Sequence, residues 1–126
     1  MPPYELTEKE WDQQLFDRKT GLATMLGWNT WHVLRPKGSP AGLPDRLCWR
    51  DRIIYVELKR EKGKLSDAQV RVLTALARAG GETYVWFPAD LEAARDVLQA
   101  RSFQHDNPSR WLAAGCRMDQ LTEAAA

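Results

Sequence analysis

Two acids and a lysine carry the chemistry this sequence offers. Glu57 and Lys59 stand two residues apart in YVELKRE, residues 55–61, and eleven residues separate Asp45 from Glu57. Two carboxylates brought together by a fold repel each other unless a cation lies between them. Mg²⁺ suits that position: it takes oxygen ligands at about 2.0–2.1 Å and keeps waters that a phosphate can replace. A lysine beside the pair can hold or deprotonate an attacking water, or stabilise the charge of a phosphoryl transition state. The plainer reading of Glu57 and Lys59 is a surface ion pair, worth about 0–1 kcal/mol. The presence of Asp45, directly after Pro44, weighs against it.

The elements around these residues must bring them together. Side chains alternate along a strand, so Ile53, Tyr55, Glu57 and Lys59 share one face and Ile54, Val56 and Leu58 the other. Both faces are apolar at the start, as in a central strand covered on two sides. Charge enters only at the C-terminal end, where the sites of open α/β sheets gather. A tight turn at Arg50-Asp51-Arg52 sets Trp49 opposite Ile53 and therefore Asp45 opposite Glu57. Cross-strand Cβ atoms lie about 4.5–5.5 Å apart. A one-residue slip in the turn would reverse the alignment.

The whole chain reads as α-β-β-β-α-β-α, an α/β fold with a mixed central sheet flanked by helices. A helix is expected over 7–26, with Thr7 and Glu10 as a capping box, Trp11, Leu15, Leu22, Met25 and Leu26 as its apolar stripe, and Gly21 as a point of interruption. Strands are expected over 28–34, 45–50, 52–59 and 82–87. Helices are expected from Ser66 to Ala79 and over 90–100. Residues 1–100 form the expected domain. Residues 101–126 read as a tail, with a docking or dimer-forming segment around Trp111-Leu112.

Composition bounds the answer loosely. A chain of 126 residues with 44% hydrophobic residues supports one domain with a core, and its six Trp are assigned mostly to that core. The net charge is +1, but residues 35–64 hold nine Lys/Arg against four acids. That basic middle points to a polyanion, or is simply a solvated mixed-charge surface. Arg35, Lys37, Lys62 and Lys64 flank the acids and are candidates for phosphate contacts. Cys48 reads as a small buried hydrophobe. Cys48 and Cys116 have neither metal spacing nor a disulfide framework, so a reducing cytoplasm is expected. The opening MPPYELTEKE is polar and acidic and does not read as a signal peptide, and no apolar run reaches membrane-spanning length. His32 is a general base or, more simply, a partly buried strand histidine. Trp28 and Trp31 could stack on a distorted base, but nothing in the spacing requires it.

Pro44-Asp45, eleven residues, then Glu57-Leu58-Lys59 resembles the PD-(D/E)XK nuclease pattern. The surrounding HVLRPKGSPAGLPDRL and IIYVELKREKGKLSDAQ, then a helix, Gly-Gly and YVWF, resemble the VRR-NUC branch, particularly its small stand-alone phage versions. The resemblance covers roughly residues 5–100. It implies a restriction-endonuclease-like core, Mg²⁺ or Mn²⁺ dependence, hydrolysis of DNA phosphodiesters in structured or branched DNA, and a homodimer. By the same resemblance Asp45 and Glu57 match the metal carboxylates, Lys59 the catalytic lysine and the Leu58 carbonyl a further ligand. Gln69 matches a glutamine on the following helix, although Ser66 and Gln69 also read as a capping box. A glutamate on the first helix is expected near the metal. Glu8 is preferred, on the stripe with Trp11 and Leu15, because the capping box already accounts for Glu10.

Two other readings stand beside this one. The chain could be a DNA-binding module with the nuclease fold and little catalysis. It could instead be a partner-binding α/β domain that uses its sheet edge and the Trp111 segment.

Overall fold

A computed structural model describes residues 5–34 and 37–102. Its elements are α1 (Glu8–Phe16), α2 (Leu22–Met25), β1 (Asn29–His32), β2 (Arg46–Trp49), β3 (Ile53–Leu58), α3 (Asp67–Arg78), β4 (Glu82–Trp86) and α4 (Leu91–Gln99), with a 3-10 turn at Pro88–Asp90. The four strands form one sheet in the order β1-β2-β3-β4. β1, β2 and β3 pair antiparallel, and β4 lies parallel to β3 after the α3 crossover. The chain is therefore α/β, with a mixed sheet flanked by helices. The suggested docking segment around Trp111 lies outside the described residues.

The expected register holds. Trp49 pairs with Ile53 and Arg46 with Val56, so the next step outward sets Asp45 against Glu57. Strands and helices come out one or two residues shorter than expected at most ends. At β1 this leaves Leu34 exposed beyond the strand and Trp28 buried before it.

The expected helix over 7–26 is corrected: it is two helices, and the break begins at Asp17, ahead of the Gly21 named as a point of interruption. Asp17 ends α1 in extended backbone. Its Oδ2 accepts from the backbone N–H of Lys19 at 3.0 Å and of Thr20 at 2.9 Å, and from the Thr20 hydroxyl at 2.9 Å. A side chain that satisfies the following amides competes directly with helix continuation. Gly21 then passes close to the backbone of Leu15 and Asp17, where a Cβ would lie 2.4 Å from the Asp17 nitrogen.

Each sheet face has its own cover. Cys48, Ile54, Val56, Leu58, Tyr84 and Trp86 pack against Trp11, Leu15 and Phe16 of α1, Ala23 of α2, and Ala94, Val97 and Leu98 of α4. On the opposite face Val85 packs with Leu73 of α3, Phe87 and Leu65. α1 is fixed in place at two points. The Trp11 indole N–H donates to the Trp86 carbonyl at 3.0 Å. Arg46 makes a two-pronged pair with Asp12, at 3.0 and 2.7 Å, and lies over the Phe16 ring.

The basic middle of the sequence is partly structural. Arg50 donates to the carbonyls of Leu26, Leu98 and Ala100. Arg52 donates to those of Val97 and Ala100 and pairs with Glu82 at 2.8 Å. Both guanidinium groups lie over the buried Trp28 ring, at 4.8 and 5.2 Å. These arginines close the C-terminal end of α4, where carbonyls lack partners within the helix. Along with Arg46 they are spent inside the fold and are withdrawn from the surface reading of charge.

The loop leading to Asp45 is held by a close approach. Gly42 is buried with φ +95°, and a Cβ there would lie 2.3 Å from the Ala68 carbonyl oxygen in α3. Gly42→Ala is expected to cost about 1–3 kcal/mol, through the left-handed backbone and the clash together. A thermal melt checks it; an unchanged melting temperature would contradict this packing.

Candidate metal centre

The site lies at one end of the sheet, where β3 finishes, β2 begins and α1 starts. Oxygens of Glu8, Asp45 and Glu57 all lie within 4.8 Å of one another. Two oxygens bound to the same Mg²⁺ are at most about 4.2 Å apart, twice the ~2.1 Å bond. Small side-chain adjustments separate the described positions from that span. Glu8, Asp45 and Leu58 also line a cavity of about 210 Å³ with Lys9, Asp12 and His32.

Glu57 is the least solvated of the three acids, with 1% of its surface exposed. Its Oε2 accepts from the Gln69 side-chain amide at 3.0 Å and lies 3.8 Å from the Lys59 ammonium. Its Oε1 is buried and meets no donor among the described residues. An unsatisfied buried carboxylate oxygen is costly. Its nearest acidic neighbours are also acceptors when ionised, so only a proton or a cation satisfies the group. Burial first, then the Asp45 charge, pushes the Glu57 carboxyl up to about 9, against the opposing pull of Lys59. Without a cation, Glu57 is therefore neutral at pH 7. The donor set is all oxygen, acidic and partly desolvated, which fits a hard divalent cation such as Mg²⁺ or Mn²⁺.

Asp45 sits just outside β2, and its Oδ2 accepts from the Leu58 N–H at 2.8 Å. That bond fixes the carboxylate against the end of β3. Gln69 meets both expectations at once. It completes the capping box with Ser66, through bonds of 2.9 and 3.1 Å, and its amide still reaches Glu57. Glu10 likewise closes the Thr7 capping box and is not in the cluster. Glu8, the preferred glutamate, stands in the acidic cluster, and the reason given for it is corrected. Glu8 is exposed at the start of α1 rather than on the buried stripe, and it reaches the acids from the solvent side.

Lys37, Lys62 and Lys64 are exposed on the loops leaving β1 and β3 at this end of the sheet, and Arg35 lies outside the described residues. His32, expected to be partly buried, is an exposed residue of edge strand β1 and lines the cavity. Asp12 is the residue that sequence reasoning missed. It stands four positions after Glu8, hence on the same side of α1, and that spacing was the available signal. Its carboxylate is taken by Arg46, so it positions α1 over the site rather than offering an open ligand. Cys48 is fully buried, as expected, and burial pushes its thiol up to about 12.

A larger cleft, of about 530 Å³, opens at the other end of the sheet, between β3 and the end of α3. Its Glu82 is already paired with Arg52 and accepts from the Tyr84 hydroxyl at 2.6 Å, so it offers no comparable site. Among the described residues, no helix is long and apolar enough to cross a membrane. No protein-family model, curated protein or solved structure matches this chain.

Proposed function

We propose that the chain is a divalent-metal-dependent deoxyribonuclease with a restriction-endonuclease-like core, of the VRR-NUC kind that its sequence resembles. The observation that carries this reading is the convergence of three acids, with Glu57 buried against Asp45 and Glu8 and a lysine 3.8 Å from one of its oxygens.

Glu8, Asp45 and Glu57 would hold the cation, with the Leu58 carbonyl as a further ligand by resemblance. When bound, Mg²⁺ or Mn²⁺ would lower the pKa of a water and draw charge from a non-bridging phosphate oxygen. Lys59 carries three N–H donors and no acceptor while protonated, so it orients the attacking water and offsets charge that builds on the phosphate. Gln69 is a positioning residue: its amide holds one Glu57 oxygen and leaves the other turned to the ligand side. Asp45 is held in the same way by the Leu58 N–H. Arg35, Lys37, Lys62 and Lys64 would meet the DNA backbone, so binding should weaken steeply with salt. The proposed substrate is structured or branched DNA, the proposed assembly a homodimer and the proposed compartment the cytoplasm.

The test is a cleavage panel of forked, four-way and linear DNA, with Mg²⁺, with Mn²⁺ and with EDTA. Cutting that requires the metal is the expected result. No cutting of any substrate by the purified protein would remove the reading.

A further inference from the structure

The sheet face that carries Glu57 is only half covered. α3 packs over β4 and the adjoining part of β3, and among the described residues no element packs over the outer half. There Trp31 is 60% exposed, Ile53 55% and Trp49 42%. Trp31 pairs directly with Leu47, which pairs with Tyr55. The row before it, towards the acids, holds Asp45 and Glu57. Two residues along a strand span about 6.6 Å. The indole of Trp31 is thus one side-chain row from the proposed metal centre.

We infer that Trp31, with Leu47 and Trp49 behind it, is a stacking platform for unpaired DNA bases. The inference rests on the nuclease reading and narrows it: the phosphodiester presented to Asp45, Glu57 and Lys59 belongs to, or adjoins, a single-stranded stretch. Three observations commit the face to this occupant. The platform is aromatic and exposed on edge strand β1 and its neighbour β2, and every base offers a π-face to stack on it. Exposed Lys37, Lys62 and Lys64 lie on loops at the same end, which complements a phosphate chain but not an apolar protein surface. The neighbouring row on the same face holds Asp45 and Glu57, so a strand stacked on Trp31 lies beside the acids. A base-paired duplex presents no free base face along its length, so it cannot use the platform without opening.

Binding in EDTA separates this inference from the activity. Fluorescence anisotropy would compare a short labelled oligo(dT) with a blunt duplex of equal length, for the wild type, Trp31→Ala and Trp31→Phe. Stacking contributes about 1–3 kcal/mol per base, so Trp31→Ala is expected to weaken oligo(dT) binding about ten-fold. The duplex should lose far less, and Trp31→Phe should recover most of the loss. Trp31 is exposed, and Leu47→Asn gives an independent disruption of the same row should Trp31→Ala fold poorly. Equal oligo(dT) affinity in all forms, or equal loss on both DNAs, would overturn the platform. So would a change of oligomeric state by light scattering with oligo(dT) affinity intact, which would assign the face to a second copy. Absence of metal-dependent cleavage would sink the nuclease reading while leaving the binding result to be judged by itself.

Discussion

Glu57→Gln is expected to make the metal-free protein more stable and to abolish its response to Mg²⁺. Glutamine keeps the shape, accepts the Gln69 amide on its oxygen and donates to Asp45 with its own NH₂. It removes the need to ionise a buried acid. The native carboxyl titrates at about 9 and the unfolded one near 4.5. Between those values the native protein holds a proton that the unfolded chain has lost. Stability of the wild type therefore falls as pH rises from about 4.5 to about 9; below that window it is fully present and this group adds no pH dependence. Glu10 and Asp17 work in the opposite sense, since hydrogen bonds from Thr7 and from Thr20 and Lys19 hold their carboxyls low. Their stabilisation is lost only in acid, below the Glu57 window. At pH 7.5 the gain from Glu57→Gln should be on the order of 2–4 kcal/mol. For a domain of this size that raises the melting temperature by on the order of 10 °C. The wild type should also gain stability with saturating Mg²⁺, by mass action, and the variant should not. Melts across pH 5–9, with Mg²⁺ and with EDTA, read both effects. A variant less stable than the wild type at pH 7.5 in EDTA, or one that still responds to Mg²⁺, would show that Glu57 is an ordinary structural group.

The second large effect separates the two sides of the site. Lys59→Ala should reduce DNA cleavage by about 10²–10⁴-fold, the usual contribution of a positioned proton-handling or charge-stabilising group. The variant should still be stabilised by Mg²⁺, because the acids remain. Asp45→Ala should lose both cleavage and the Mg²⁺ response. Its Leu58 N–H partner loses a bond of 2.8 Å, so a modest fall in stability in EDTA should accompany it. Rates under single-turnover conditions, alongside melts with and without metal, distinguish the pair. If Lys59→Ala cut DNA at the wild-type rate, the lysine would be only the partner of Glu57 in an ion pair.

These predictions rest on features with different sequence signals. The Asp45 and Glu57 alignment was legible because alternating side chains and a tight turn leave few registers, and Trp49 does pair with Ile53. Glu8 could be preferred over Glu10 because a capping box has a fixed spacing, which the Thr7 and Glu10 bonds meet. The burial of Glu57 and its partnerless oxygen were not legible, since they depend on α3 closing over the end of β3. The exact break after Phe16 was hidden because Asp is only a weak breaker by type, and here its carboxylate gathers the next amides. The fate of Arg50 and Arg52 was invisible for another reason. Their acceptors are mostly backbone carbonyls near residues 97–100, and a carbonyl looks the same whatever residue carries it. The exposure of Trp31 and Trp49 was equally hidden, because no local pattern states how far α3 extends across the sheet.

The most direct test is a crystal of the wild-type protein grown with Mn²⁺, with anomalous data collected at its absorption edge. The account predicts one peak or a close pair bounded by oxygens of Glu8, Asp45 and Glu57, with the Lys59 ammonium adjacent and unbound. A map at saturating Mn²⁺ with no peak there, and Glu57 still protonated against Asp45, would contradict it.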